Sequence, residues 1–171
     1  MENKKDLTRN QILNAAFECF AEHGYLKTSF IDIAKRAGIS RSLIYLYFVD
    51  KKSLFVAMTE DIHDDCIVKS QEVLESDLSR NAKLQKLVDI WLINVHHVID
   101  KAPNPNAWID ALKSDRSSEM RYRELFADSL TPLLRKDLAE VVVLSIKGLL
   151  DDRPQVKTLE KRINILIGSL A

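Results

Sequence analysis

The sequence predicts an all-α protein, on three observations. Apolar residues recur at spacings of three and four almost everywhere along the 171 residues, the period of an amphipathic helix. No stretch alternates strictly between apolar and polar side chains. Glycine and proline number only four each, too few to punctuate the many turns of an all-β fold.

The elements follow in order. Ile12, Leu13, Ala16, Phe17 and Phe20 form one stripe of a first helix, and Gly24 after His23 is a natural stop. Ser29-Phe30-Ile31-Asp32 has the form of a capping box, the serine oxygen taking an orphan amide and the aspartate reaching back. The short second helix it opens ends at Gly38, and Ser40 caps a third that runs through about Phe48. Asp50 caps a fourth, with Leu54, Phe55, Met58, Ile62 and Cys66 along one side. Leu84, Leu87, Val88, Trp91, Leu92, Val95 and Val98 make a strong stripe that stops before Pro103. Asn104-Pro105 reads as a cap and first-turn proline for a short helix around Trp108, Ile109 and Leu112. Tyr122, Leu125, Phe126 and Leu130 mark the next. Thr131-Pro132 restarts the chain, because proline breaks a helix interior but suits its first turn, and Leu134, Leu138, Val141, Val142, Ser145 and Leu149 continue it. After Asp151-Asp152-Arg153-Pro154 a last helix carries Val156, Leu159, Ile163, Leu166, Ile167 and Leu170. The total is about nine helices and no strands, with no internal repeat.

Composition narrows the function. Hydrophobic residues at 46% and charged residues at 29% are those of a globular chain, and no apolar run approaches the ~18 residues of a membrane span. Met1-Glu2-Asn3-Lys4-Lys5-Asp6 leads into no apolar segment of the signal-peptide kind. Cys19 and Cys66, the two cysteines, are no disulfide framework, and a cytoplasmic setting is expected. The net charge is zero, but residues 1–55 carry +3 and the remainder −3, a weak pointer to a polyanion-binding head. The seam is expected near Lys51, dividing a head over 1–50 from a helical domain over 51–171.

Ala37-Gly38-Ile39-Ser40 is the informative turn. Gly38 supplies a left-handed backbone that a Cβ would oppose, Ile39 plugs the angle between two helices, and Ala34 is small where they approach. Three short helices joined this way are a helix-turn-helix unit, which presents its last helix to a DNA groove. Thr28-Ser29-Phe30-Ile31-Asp32-Ile33-Ala34, Ala37-Gly38-Ile39-Ser40, Ile44-Tyr45-Leu46-Tyr47-Phe48 and Lys51-Lys52-Ser53-Leu54 closely resemble the N-terminal domain of TetR/AcrR-type transcriptional regulators. Ile12-Leu13-Asn14-Ala15-Ala16 and Phe20-Ala21-Glu22-His23-Gly24-Tyr25 match as well, so the resemblance runs collinearly over about residues 8–55.

The resemblance implies a dimeric, repressor-like regulator. Its third helix enters the major groove of an operator, and its C-terminal domain takes a small-molecule effector. Tyr45, Tyr47 and Lys51 match positions that contact the DNA backbone, and Thr28 or Ser29 matches a phosphate-contacting hydroxyl. Ser40 exposes the start of the third helix. Arg41, Ser42 and Leu43 occupy the stretch that faces bases: Arg41 suits guanine, and Leu43 suits a thymine methyl. Many members carry Gly-Thr where this chain has Ser42-Leu43, which leaves fewer groups for direct readout and more to DNA shape. Beside these roles stand plain ones. Phe48, Leu54 and Ile39 read as core, Tyr45 and Tyr47 point in different directions, Lys35 and Arg36 solvate the second helix, and Lys4 and Lys5 form a frayed tail.

Other chemistry is thin. His96 and His97 face about 100° apart on a helix. His63 and Cys66 share a face, with Glu60 nearest as a further ligand, short of the three or four ligands a good metal site needs. No nucleophile, base and orienting group form a constellation, so neither an enzyme nor a cofactor is expected. An effector pocket of Met58, Ile62, Trp91, Val95, Trp108, Tyr122 and Phe126 is expected, with His96 or His97 as its polar contact, although each apolar member alone reads as core. A dimer interface is expected along Val142, Ser145, Leu149, Leu159, Ile163, Leu166 and Leu170, spaced nearly as coiled-coil positions. The alternative reading is a small-molecule-binding or protein-interaction module that retains the helix-turn-helix without regulating an operator.

Overall fold

A computed structural model describes residues 4–94, 96–97 and 116–170. Among them every regular element is helical. In chain order these are α1 (Lys4–His23), α2 (Phe30–Ala37), α3 (Arg41–Tyr45), α4 (Lys51–Glu75), α5 (Arg80–Val88), a π-helical turn (Asp89–Ile93), α6 (Arg116–Leu130), α7 (Lys136–Leu149) and α8 (Val156–Gly168). Val95, Val98, Pro103, and the expected helix at Asn104-Pro105 around Trp108, lie outside the described residues. No described helix is long and apolar enough to cross a membrane. The chain divides into two compact units that part at Ile62/His63, within α4.

The first unit is built from α1, α2, α3 and the start of α4. Ile12, Ala16 and Phe20 of α1 are fully buried, as are Ile33 of α2, Ile44 of α3 and Leu54 of α4. Phe20, Tyr25 and Phe55 interlock at 5.1–5.7 Å between ring centres. Ser29 caps α2 through a complete capping box, and Gly38 ends it at φ +66°. Asp50 opens α4 by accepting from the Ser53 amide at 2.7 Å. The third helix is shorter than expected. After Tyr45 the amides of Leu46 and Tyr47 bond three residues back, to Leu43 and Ile44, which tightens the helix into a turn. Ile39 is half-buried rather than core. Arg36 does more than solvate α2: its guanidinium bridges to Glu18 and Glu22 of α1.

The second unit packs α5, α6 from Glu119 onward, α7 and α8 with the rest of α4. Pro132 does not open a helix. Residues 131–134 form a turn, and α7 starts only after Arg135, which holds the cap position. Arg80 ties that turn down, donating to the carbonyls of Leu133 and Leu170 at 3.1 and 3.0 Å. Arg162 closes the other end of α7 with two bonds to Asp152 and one to the Leu149 carbonyl.

Burial revises the expected interface. Val142, Leu159 and Ile163 have at most 1% of their surface accessible within the single chain, so they have nothing to offer a partner. The true inward stripe of α7 is Ala139, Val142, Val143 and Ile146, and that of α8 is Val156, Leu159, Ile163 and Ile167. Ser145, Leu149, Leu166 and Leu170 are half-buried, and the Ser145 hydroxyl is turned back on the Val141 carbonyl. Val141, Leu144 and Ile165 are the well-exposed apolar side chains of these helices.

Candidate nucleic-acid interface

The second and third helices meet through the αL glycine. The Gly38 and Ile39 amides bond back to Lys35 and Ala34, so α2 stops abruptly and the chain turns at once into the Ser40 cap of α3. No atom lies within 4 Å of a Cβ placed on Gly38, so backbone sign rather than space demands glycine there. Gln11 of α1 donates to the Ala37 carbonyl at 2.6 Å and holds the end of α2.

The residues singled out in the sequence divide into two groups. Ser29, Ser40, Arg41, Ser42 and Tyr45 are exposed, while Leu43 and Tyr47 are half-buried. Arg41 lies along Tyr45, donating to its hydroxyl at 3.0 Å with the guanidinium 5.4 Å from the ring centre. Tyr45 in turn meets Phe30 edge-on at 5.0 Å. The hydroxyls of Ser40 and Ser42 share a 3.0 Å hydrogen bond, and Ser40 also accepts from the Leu43 amide. Ser29 faces solvent but is engaged with Asp32, whose carboxyl is held below its usual range by the bonds from the Ser29 side chain and amide.

Two residues are spent inside the fold. Thr28 is 2% accessible, and its hydroxyl donates to the carbonyls of Gly24 and Cys19 at 2.8 and 3.1 Å. It is a buried staple with no free hydroxyl for a phosphate. The Lys51 ammonium has three N–H groups and three carbonyl partners, Tyr25, Thr28 and Leu26, at 2.6, 2.9 and 3.3 Å. It also sits 4.5 Å from the centre of the Tyr25 ring. Burial lowers its pKa. Lys51 therefore locks the α1–α2 turn to the start of α4, and could reach a phosphate only by giving up a carbonyl.

Three exposed apolar residues around this corner were not foreseen from the sequence. Leu46, directly after α3, is 79% accessible, as is Val49, and Leu26 on the α1–α2 turn reaches 88%. Leu46 stands three residues beyond Leu43, and that spacing alone was the available signal.

In the second unit the sequence-predicted pocket is a ring cluster. Trp91 stacks on Phe126 at 5.6 Å and 10°, with Tyr122 at 5.8 Å and His63 at 6.3 Å from Trp91. Trp91 and Phe126 are fully buried core. The Trp91 indole donates to Ser70, and the Tyr122 hydroxyl donates to the Trp91 carbonyl, which lies in the π-turn, at 2.8 Å. Burial raises the Tyr122 pKa. His63 is the unforeseen member: it is 8% accessible, its Nδ1 is buried with no partner among the described residues, and burial lowers its pKa. Cys66 is pushed up to about 11 by burial and donates to the Ile90 carbonyl, a plain structural thiol. Met58, 1% accessible, and the half-buried Ile62 belong to the first unit, while Val95 and Trp108 lie outside the described residues. His97 pairs with Glu160 at 3.3 Å. No three His, Cys, Asp or Glu side chains gather as metal ligands among the described residues. An open cleft of about 500 Å3, lined by Met120, Arg123, Glu124, Lys136, Glu140 and Leu144 among others, lies between α6 and α7.

Comparison with known proteins agrees with this geometry. The sequence pattern of "Bacterial regulatory proteins, tetR family" matches residues 12–58. The transcriptional activator FasR of Mycolicibacterium smegmatis is 28% identical over 93 residues, 54% of this chain and 42% of that one. The "Fatty acid metabolism regulator protein" of Bacillus subtilis is 31% identical over 78 residues, 46% of this chain and 40% of that one. The chain thus spans about two-fifths of the length of these relatives. A TetR transcriptional regulator from Legionella pneumophila superposes with a TM-score of 0.76 at 20% identity, over 99% of this chain and 98% of that one. A regulator from Aquifex aeolicus gives 0.68 at 21%, over 96% and 99%. At such identities these structures show a shared fold, all-α with an N-terminal helix-turn-helix. The head, over residues 12–58, thus carries the sequence pattern of the tetR family, and the chain shares the fold of TetR regulators of known structure.

Proposed function

We propose that the protein is a homodimeric transcriptional repressor that binds a palindromic operator through α3 and is released by a small-molecule effector. The observation that carries the reading is the α2–Gly38–α3 corner, which exposes Arg41, Ser42, Tyr45 and Leu46 within the first 55 residues, the stretch that carries a charge of +3. Its acids are largely engaged: Glu18 and Glu22 with Arg36, and Asp32 and Asp50 in helix caps. The cations that remain exposed favour a polyanion. A single helix-turn-helix reads few base pairs, so a symmetric pair is the useful form.

The effector reading rests on His63. A buried imidazole nitrogen without a partner among the described residues, beside Trp91 and Tyr122, suits an apolar molecule carrying one hydrogen-bonding group. For the dimer contact, Val141, Leu144 and Ile165 replace the buried positions expected from spacing.

Selection of randomised duplex DNA by the purified full chain, at near-physiological salt, tests the reading. A palindrome with half-sites about one helical turn apart is expected. A folded, dimeric protein that enriches nothing, with or without a library of small molecules, refutes it in favour of the interaction-module alternative.

A further inference from the structure

We infer that Leu46, together with Leu43, sets the sequence preference of this head by packing on thymine 5-methyl groups in the major groove. The inference rests on the proposed DNA-binding function and says how the operator is read. It starts from what α3 has to offer. The Ser40 and Ser42 hydroxyls are bonded to each other, and Ser40 also takes the Leu43 amide. Arg41 has one N–H on the Tyr45 hydroxyl and one face over the Tyr45 ring. The hydrogen-bonding groups nearest the groove are therefore partly satisfied within the helix before any DNA arrives.

The apolar groups are not satisfied. Leu46 keeps 79% of its surface in water, and the half-buried Leu43 lies one turn before it, joined by the Leu46 amide on the Leu43 carbonyl at 3.1 Å. Residues three apart share a face, so the two leucines present one apolar edge. Among base edges in the major groove, thymine alone offers a methyl group to such an edge. Charge decides that the occupant is DNA rather than another protein. Lys27, Lys35, Arg41 and Lys52 of the same unit are exposed, while Glu18 and Glu22 are paired with Arg36, Asp61 with Arg9, and Asp32 and Asp50 are used as caps.

The test replaces each thymine of the selected operator by uracil, which removes the methyl and nothing else. The full-length protein is expected to bind about fourfold more weakly for each contacted methyl lost, the worth of one buried carbon group. Leu46→Ala, which alters only an exposed side chain and so leaves the fold intact, should bind the thymine and uracil duplexes alike at one position of each half-site. Equal binding of thymine and uracil duplexes everywhere would overturn the inference and leave the proposed function standing. So would a Leu46→Ala protein that still discriminates fully, or one whose only change is loss of self-association. Absence of duplex binding altogether would remove the proposed function and the inference with it.

Discussion

Replacing Lys51 by methionine keeps most of the aliphatic stem on the Tyr25 ring and removes only the ammonium. Three carbonyls then lose a donor, at 2.6 Å for Tyr25, 2.9 Å for Thr28 and 3.3 Å for Leu26. A hydrogen bond to a charged group contributes about 1.5–3 kcal/mol where water is excluded. Lys51 is half-buried and the Leu26 bond is long and exposed, so the two shorter bonds dominate, at the low end of that range. The expected loss is about 2–3 kcal/mol, discounted for solvent screening. For a chain of this size each kcal/mol moves Tm by about 2–4 °C, giving a drop of about 5–10 °C by circular dichroism. The companion measurement is the salt dependence of operator binding, at a temperature where both proteins are folded. A lost phosphate contact lowers the slope of log K against log salt by about 0.9 per protomer. Because the ammonium is spent on carbonyls, the slope should hardly change. An unchanged Tm with a slope lower by that amount would refute the reasoning and return Lys51 to the DNA backbone.

Three further perturbations probe the rest. Asp32→Asn should cost about 1 kcal/mol at neutral pH by weakening the α2 capping box. Because the Asp32 pKa is held below 3.8 in the folded state, its contribution is present above that pH and lost as pH falls through the lower folded value. Wild type and variant should therefore converge as pH falls below 3.8, and a gap that does not shrink in acid would count against the cap. His63→Phe should stabilise the free protein by roughly 1 kcal/mol at pH 8, since it removes a buried nitrogen that has no partner among the described residues. The wild-type imidazole is buried with its pKa below 6.5, with Arg121 adding to the depression and Asp64 opposing it. The unfolded chain takes up that proton first, so wild type loses stability as pH falls from 6.5, and the variant should lose less. Identical pH profiles would show that another group is responsible. Leu159→Ala should cost about 2–5 kcal/mol by opening a core cavity, without weakening self-association in sedimentation. Leu144→Arg should do the reverse, and a dimer disrupted by Leu159→Ala at unchanged stability would restore the coiled-coil reading of α8.

Local rules carried the head a long way. The capping box at Ser29 and Asp32, the αL stop at Gly38 and the caps at Ser40 and Asp50 involve atoms at most four residues apart, so residue order suffices to read them. The family resemblance was legible for the same reason, since it lies in one collinear run. Periodicity was weaker in the C-terminal unit. Val141 and Val142 are equally apolar, yet one is 55% exposed and the other 1%, because the stripe turns with the helix that faces it. Pro132 looked like a helix start, but the Arg80 clamp on Leu133 and Leu170 comes from more than fifty residues earlier in the chain. The sequence by itself determined the fold class, the helix-turn-helix and the residue types at its face. Only tertiary structure decided that Thr28 and Lys51 are spent on carbonyls, that His63 is buried with Nδ1 unpaired among the described residues, and that Leu159 is core. Hydrogen-bond partners and accessible surface belong to pairs of residues brought together by folding, and no single position carries them.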